Sequence, residues 1–325
     1  DIGYSYAKLG MSERALENLQ KALGISLGRG DRANVGRTLD SIGEVYLDKA
    51  DYSRAMDYFF DALLIAQEIG DRDAERTTLA NLGKTFDLQE RPQLAIVFLK
   101  QSVDVIEKMR RDLQSLPAST RRIYVESVAD TYRLLANLLL LQNRPLEAES
   151  VIDLLRVEEL REYLGQVRGS SAQLQHLPSE REVWVTYSTI LARSIGQAKE
   201  LADIEAILPA DRTSAQLARI DQIYIDQSNA KKTFREFADS PEIQDILKAR
   251  RIEKEAVNLD DLYNLSEKLG KNEVVFYPFV LPDRLELIFV TANSVPVHFS
   301  RPVPEQKLNE TVFAFRQALI NRSDE

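Results

Sequence analysis

The chain has 325 residues, 44% hydrophobic and 29% charged, a soluble globular balance sized for about two domains. Its 51 acidic residues outnumber 42 basic ones, and a net charge of −9 argues against a nucleic-acid groove lined with Lys and Arg. There is no cysteine, which excludes disulfides, thiolate metal sites and a cysteine nucleophile within these residues. No apolar run approaches the roughly 18 residues of a membrane span. The densest, Leu134 to Leu141, is short and interrupted by Asn137. A Cys-free chain without a signal peptide is expected in the cytoplasm. Starting at Asp1 inside a helical pattern, the sequence reads as a piece trimmed at its N-terminus. It stops at Glu325, just after an expected helix, and reads as trimmed there too.

In chain order, the first feature is a repeat. Glycines stand at 3, 43 and 83, each followed three residues later by an aromatic: Tyr6, Tyr46 and Phe86. Twelve residues after each glycine come Ala15, Ala55 and Ala95, then Leu19, Phe59 and Leu99, then Ala22, Ala62 and Ser102. Glycine and aromatic share one face of a first helix at i and i+3. The alanine and the large residue share a face of a second helix at i and i+4. The small residue permits close backbone approach and the large one fills the adjacent gap. One such hairpin cannot bury its apolar face alone, so neighbours must stack. A fourth, weaker copy carries Ala136, Leu139, Ala148, Ile152 and Leu155, displaced by an insertion around Leu116–Thr120. Pro92 and Pro145 suit the first turn of second helices. Asp31 and Asp71, each after Gly, read as links between repeats.

This pattern resembles the tetratricopeptide repeat in a 40-residue form, and the resemblance implies a helical solenoid over residues 1–165 that binds proteins. The signature Gly, Ala, Tyr and Leu positions are packing positions. Polar residues on the concave side of the first helices would face a partner. On the repeat frame these are Arg37, Asp40, Glu44 and Asp48, then Asn81, Lys84 and Asp87, then Asp130, Arg133 and Asn137. Each of these, taken singly, also suits a solvated surface. The cradle is mixed and somewhat acidic, and lacks the Lys/Arg set that would clamp a C-terminal carboxylate. The expected partner is therefore a protein or peptide segment, with no nucleic acid and no membrane.

Residues 146–165 read as a long amphipathic stretch, and Gly169-Ser170-Ser171-Ala172 as a flexible linker. Residues 166–270 are expected to be a helical linker region. One helix is predicted over about 179–204, with the single Trp184. A second, over about 212–239, places Leu217, Ile220, Tyr224, Phe234 and Phe237 on one stripe. Pro241 opens a short third helix. Asn258-Leu259-Asp260-Asp261 reads as a cap with acidic residues in the first turn of a helix closed by Gly270. This pair suits capping rather than catalysis.

After Gly270 the pattern turns to strands: Val274–Leu281, Leu285–Thr291 and Val295–Phe299. A helix over about 304–320 follows, with Leu308, Val312, Phe315 and Leu319 on one face. The fold class is thus mainly α, an α-solenoid followed by long helices and a small β-containing segment at 271–325. The order of repeats, the Val157-Glu158-Glu159-Leu160-Arg161-Glu162-Tyr163-Leu164 helix, Asn272–Tyr277 and Arg284–Ile288 resembles the entry into a CHAT domain. That is a caspase-like domain attached to such repeats in bacteria, notably cyanobacteria. The family carries its catalytic His and Cys on later strands of an α/β sheet, and neither has a counterpart here.

Chemistry finds little support in the sequence. His176 falls in the linker and His298 in a strand, and both read as surface or packing residues. Gly28-Arg29-Gly30 follows a helix, whereas a phosphate loop follows a strand. No histidine pair has metal-ligand spacing, so no cofactor and no catalytic residue are expected here. Two readings stay open. One is the partner-recognition part of a caspase-like cysteine peptidase; the other is a non-catalytic adaptor for complex assembly. The oligomeric state and the partner's identity are not legible.

Overall fold

A computed structural model describes residues 2–142, 144, 147–155, 174–205, 207–208, 211–253, 269–270, 273–280, 283–292, 297–304, 306–308, 310–311 and 314. The first 112 residues form six helices in three hairpins: α1 (Ile2–Lys8) with α2 (Ser12–Gly28), α3 (Arg32–Asp48) with α4 (Tyr52–Ile69), and α5 (Arg72–Leu88) with α6 (Pro92–Asp112). The links between them fold alike because backbone and side chain cooperate. A left-handed residue stands at 10, 30, 50, 70 and 90, half the repeat apart. The next residue's amide, from Met11, Asp31, Asp51, Asp71 or Arg91, donates to the carbonyl five residues back at 2.9–3.0 Å. That is the six-residue closure of a helix C-terminus. Asp31, Asp51 and Asp71 then cap the next helix, accepting from the amides of Asn34, Arg54 and Ala74. One aspartate thus ends one helix and starts another.

Within each hairpin the signature glycine meets the large residue of the second helix. A Cβ on Gly3 would lie 2.7 Å from Leu19, on Gly43 2.6 Å from Phe59, and on Gly83 2.6 Å from Leu99. Leu19, Phe59 and Leu99 are fully buried, so the ring or branch has nowhere to retreat. The 40-residue spacing is this one contact, repeated.

The chain forms two compact units. One comprises Asp1–Tyr124 with Gln175–Arg250, the other Val125–Leu174 with Arg251–Glu325. The first unit joins the repeats to helices from the region expected as a linker. Helices α9 (Pro178–Glu205) and α10 (Ser214–Glu236) lie against α4, and α9 also against α6. Tyr187 sits at the centre of the join, with ring centroids 4.8 Å from Phe98, 4.9 Å from Phe234 and 5.8 Å from Phe237. Phe60 meets Phe234 at 5.4 Å, and Trp184 meets Phe98 edge-on at 6.0 Å. The segment predicted as a linker therefore shares the solenoid's core. Its expected stripe is shifted as well. Phe234 and Phe237 are buried, whereas Leu217 and Tyr224 are about half exposed. The buried line instead includes Ile223, because at about 3.6 residues per turn Ile223 falls on the side of Phe234 and Phe237 whereas Leu217 falls nearly opposite Phe237. Helix α11 (Pro241–Glu253) closes this part of the chain.

In the second unit, α7 (Ala118–Leu141, entering the unit at Val125) and helical residues 147–155 (α8) carry the fourth hairpin's Ala136, Leu139, Ala148 and Ile152, all buried. Strands β1 (Val274–Val280), β2 (Leu285–Thr291) and β3 (Val297–Arg301) form an antiparallel meander in the order β1-β2-β3, with Phe276 opposite Phe289 and Leu287 opposite Phe299. Strand alternation puts Glu286 on the other face. There it is buried, paired with Arg284 and bonded by Ser300 Oγ at 3.0 Å. Helical residues recur at 306–308, 310–311 and 314. Apart from Leu269, the expected helix at 258–269 lies outside the described residues, as does the Val157–Leu164 segment.

Candidate functional site

The first helices of the first unit present a continuous row. One residue after each signature glycine come Tyr4, Glu44 and Lys84; five residues after come Lys8, Asp48 and Leu88. A spacing of four keeps the two positions on one side of each helix. Tyr4, Lys8, Asp48, Lys84 and Leu88 are exposed and Glu44 is half-buried. Lys8 lies over the Tyr4 ring at 5.0 Å.

The electrostatics of this row centre on Glu44. Burial raises its pKa, opposed by Lys8 and Lys84 and assisted by Asp48. Glu44, Asp48 and Lys84 make no side-chain hydrogen bond or ion pair among the described residues. The lysine on α1 and that on α5 thus flank a carboxylate on α3, each within electrostatic reach of it and none bonded to it. Such a row can offer charges of both signs to an extended chain laid across the helices.

The other residues named from the sequence fall in different places. Arg37 is exposed and pairs with Asp71 at 2.9 Å, so it bridges two hairpins. Asp40 is buried, and accepts from Thr78 Oγ1 at 2.8 Å and Asn81 Nδ2 at 3.0 Å. It stands three residues before Gly43, a position held by Ala80 in the next hairpin, on the side where α3 meets α5. Asn81 is consequently committed to Asp40. Asp87 is equivalent to the buried Leu47, not to Asp48, and partial burial raises its pKa. Asp130, Arg133 and Asn137 belong to α7 in the other unit. There Arg133 pairs with Asp130 at 3.3 Å, and Asn137 Oδ1 accepts from Arg284.

Tyr4, Lys8, Thr78 and Leu88 were missed by sequence reasoning. Repeat arithmetic could have supplied the two on α1, since Gly3 fixes their frame as Gly43 does for Glu44 and Asp48. The second helices α4 and α6 are engaged elsewhere. Lys231 and Arg235 of α10 pair with Asp61 and Asp57 of α4 at 2.6 and 2.5 Å. Lys100 of α6 is fully buried and pairs at 2.8 Å with Glu180 of α9, itself buried. His176 lies beside this pair's segment with Nε2 2.8 Å from Asp104. No group of His, Asp and Glu among the described residues has the arrangement of a metal site. No helix among them is long and apolar enough to cross a membrane.

Comparison with known families agrees with this frame. Residues 1–27 and 38–73 each match a family described as tetratricopeptide repeat, the first over α1 and α2, the second over most of α3 and all of α4. No curated protein matches the chain.

Proposed function

We propose that this chain, which carries tetratricopeptide repeats, is a protein-interaction scaffold whose binding face is the row formed by α1, α3 and α5. One observation carries the choice of face. In the first unit α4 and α6 are covered by α9 and α10 through an aromatic join, while the first-helix row keeps Glu44, Asp48 and Lys84 without bonded partners among the described residues. Repeats of this family bind proteins or peptide segments, and an open row of both charge signs suits an extended segment. In Glu44→Lys/Lys84→Glu the net charge is unchanged and the pattern inverted. Partner recovery from native extract should drop several-fold, while Lys199→Glu on α9 leaves it intact. Equal recovery from all three proteins would move the binding site off this row.

A second reading makes the chain the partner-recognition part of a caspase-like cysteine peptidase. The sheet favours it: Val274, Phe276, Val297 and Phe299 are about half exposed on one face, as expected of a sheet that belongs to a larger α/β layer. Sequencing the native reading frame tests it. A frame without a downstream histidine and cysteine leaves the adaptor reading alone.

A further inference from the structure

Asp40 is an aspartate where the next hairpin has alanine, and α5 closes over it. It is 8% exposed, and its two bonded partners, Thr78 and Asn81, are neutral. The charged group whose field bears on it is Glu44, one turn along the same helix and of the same sign. Lys8, Lys84 and Asp48 act on Glu44 instead. Among the described residues a carboxylate in this position has no counter-charge, and burying it so is costly.

The two partners are not alike. The Asn81 amide nitrogen can only donate, whereas the Thr78 hydroxyl can donate or accept. Thr38, Thr77 and Thr85 each turn their hydroxyl to the carbonyl four residues back, at 2.7–2.8 Å. The same turn by Thr78 would leave its oxygen free to accept a hydrogen bond from a protonated Asp40 carboxyl. The pocket can therefore hydrogen-bond either form of the carboxyl, but only the neutral form avoids the cost of a buried, uncompensated charge.

We propose that Asp40 is a proton-operated joint between the second and third hairpins, closed when its carboxyl is neutral and loosened when it is ionised. This rests on the packing of α3 against α5 and does not require that the row bind a peptide. Burial outweighs the two hydrogen bonds and pushes the carboxyl up to about 7. The folded value thus lies above the unfolded one. The contribution to stability is complete below about pH 4 and is lost as pH rises through about 7.

The test uses the full chain. Carbon-13 spectra of the aspartate carboxyls should show one resonance titrating near neutrality, absent in Asp40→Asn and displaced in Thr78→Val. The melting temperature of the wild type, relative to Asp40→Asn, should fall by several degrees between about pH 5 and about pH 8. Parallel melting profiles overturn the proposal. So does a wild-type spectrum in which every aspartate titrates in the ordinary range, a result that stands even if the asparagine variant fails to fold.

Discussion

At the scale of single residues, the links between helices divide into comfortable and strained. Gly10, Gly30 and Gly70 take the left-handed conformation freely, but Ala50 and Glu90 hold it with φ of 56° and 60°. A Cβ in that region crowds the following carbonyl, at about 1–2 kcal/mol. Glycine relieves the crowding but gives back about 0.4–1 kcal/mol through the greater freedom of its unfolded chain. Ala50→Gly should therefore raise stability by up to about 1 kcal/mol, and Ala50→Val should lower it, since a β-branched side chain fits the region worst. Urea melts of the two variants against wild type decide this, and a valine variant as stable as the glycine one would contradict the strain. The sequence hides this point, because nothing local marks an alanine as left-handed. The frame does reveal it: 50 and 90 fall where 10, 30 and 70 carry glycine.

At the scale of elements, α9 is fastened by more than its aromatic face. Lys100 and Glu180 are both buried, and their 2.8 Å contact joins α6 to the first turn of α9, where Glu180 also accepts from the Leu177 amide at 3.0 Å. Breaking such a pair from one side leaves a buried charge, which costs about 3–5 kcal/mol. Glu180→Ala should lose stability on that scale. Lys100→Met with Glu180→Leu should recover most of it, since the charges leave together. A double variant as unstable as the single one would show that the helices are held by something other than charge pairing.

This joint also marks where legibility ended. The repeats were readable because each signature residue has one physical job, the glycine against the leucine or phenylalanine. Helix α10 was readable as a helix, yet its stripe was assigned one step off at Leu217 and Tyr224. Its partner surface on α4, with Asp57 and Asp61 facing Arg235 and Lys231, lies more than 160 residues away in sequence. Lys100 looks like an ordinary surface lysine until Glu180 is placed beside it. The candidate site fared similarly. Glu44, Asp48 and Lys84 follow from helical spacing alone, whereas the burial of Asp40 depends on α5 lying over it.

At the scale of the molecule, the first unit is made from two stretches of chain that share one core. Tyr187 is fully buried and touches rings from α6 and α10, while Phe234 of α10 touches Phe60 of α4. A core shared in this way should open cooperatively, not hairpin by hairpin as in a plain repeat array. The Tyr187 hydroxyl has no partner among the described residues, and burial raises its pKa, so the ring is what contributes. Tyr187→Phe keeps the ring and removes the unbonded hydroxyl, and should leave stability unchanged or slightly raised. Tyr187→Ala should cost about 3–5 kcal/mol. Native-state hydrogen exchange on the two variants reads how that loss is distributed. In the alanine variant the slowest amides of α4, α6, α9 and α10 should all lose protection by a similar factor, because they open in the same event. If only α9 and α10 lost protection while α4 and α6 kept theirs, these helices would be a detachable cover on an independently folded solenoid, and the second-helix side would then be available to partners as well.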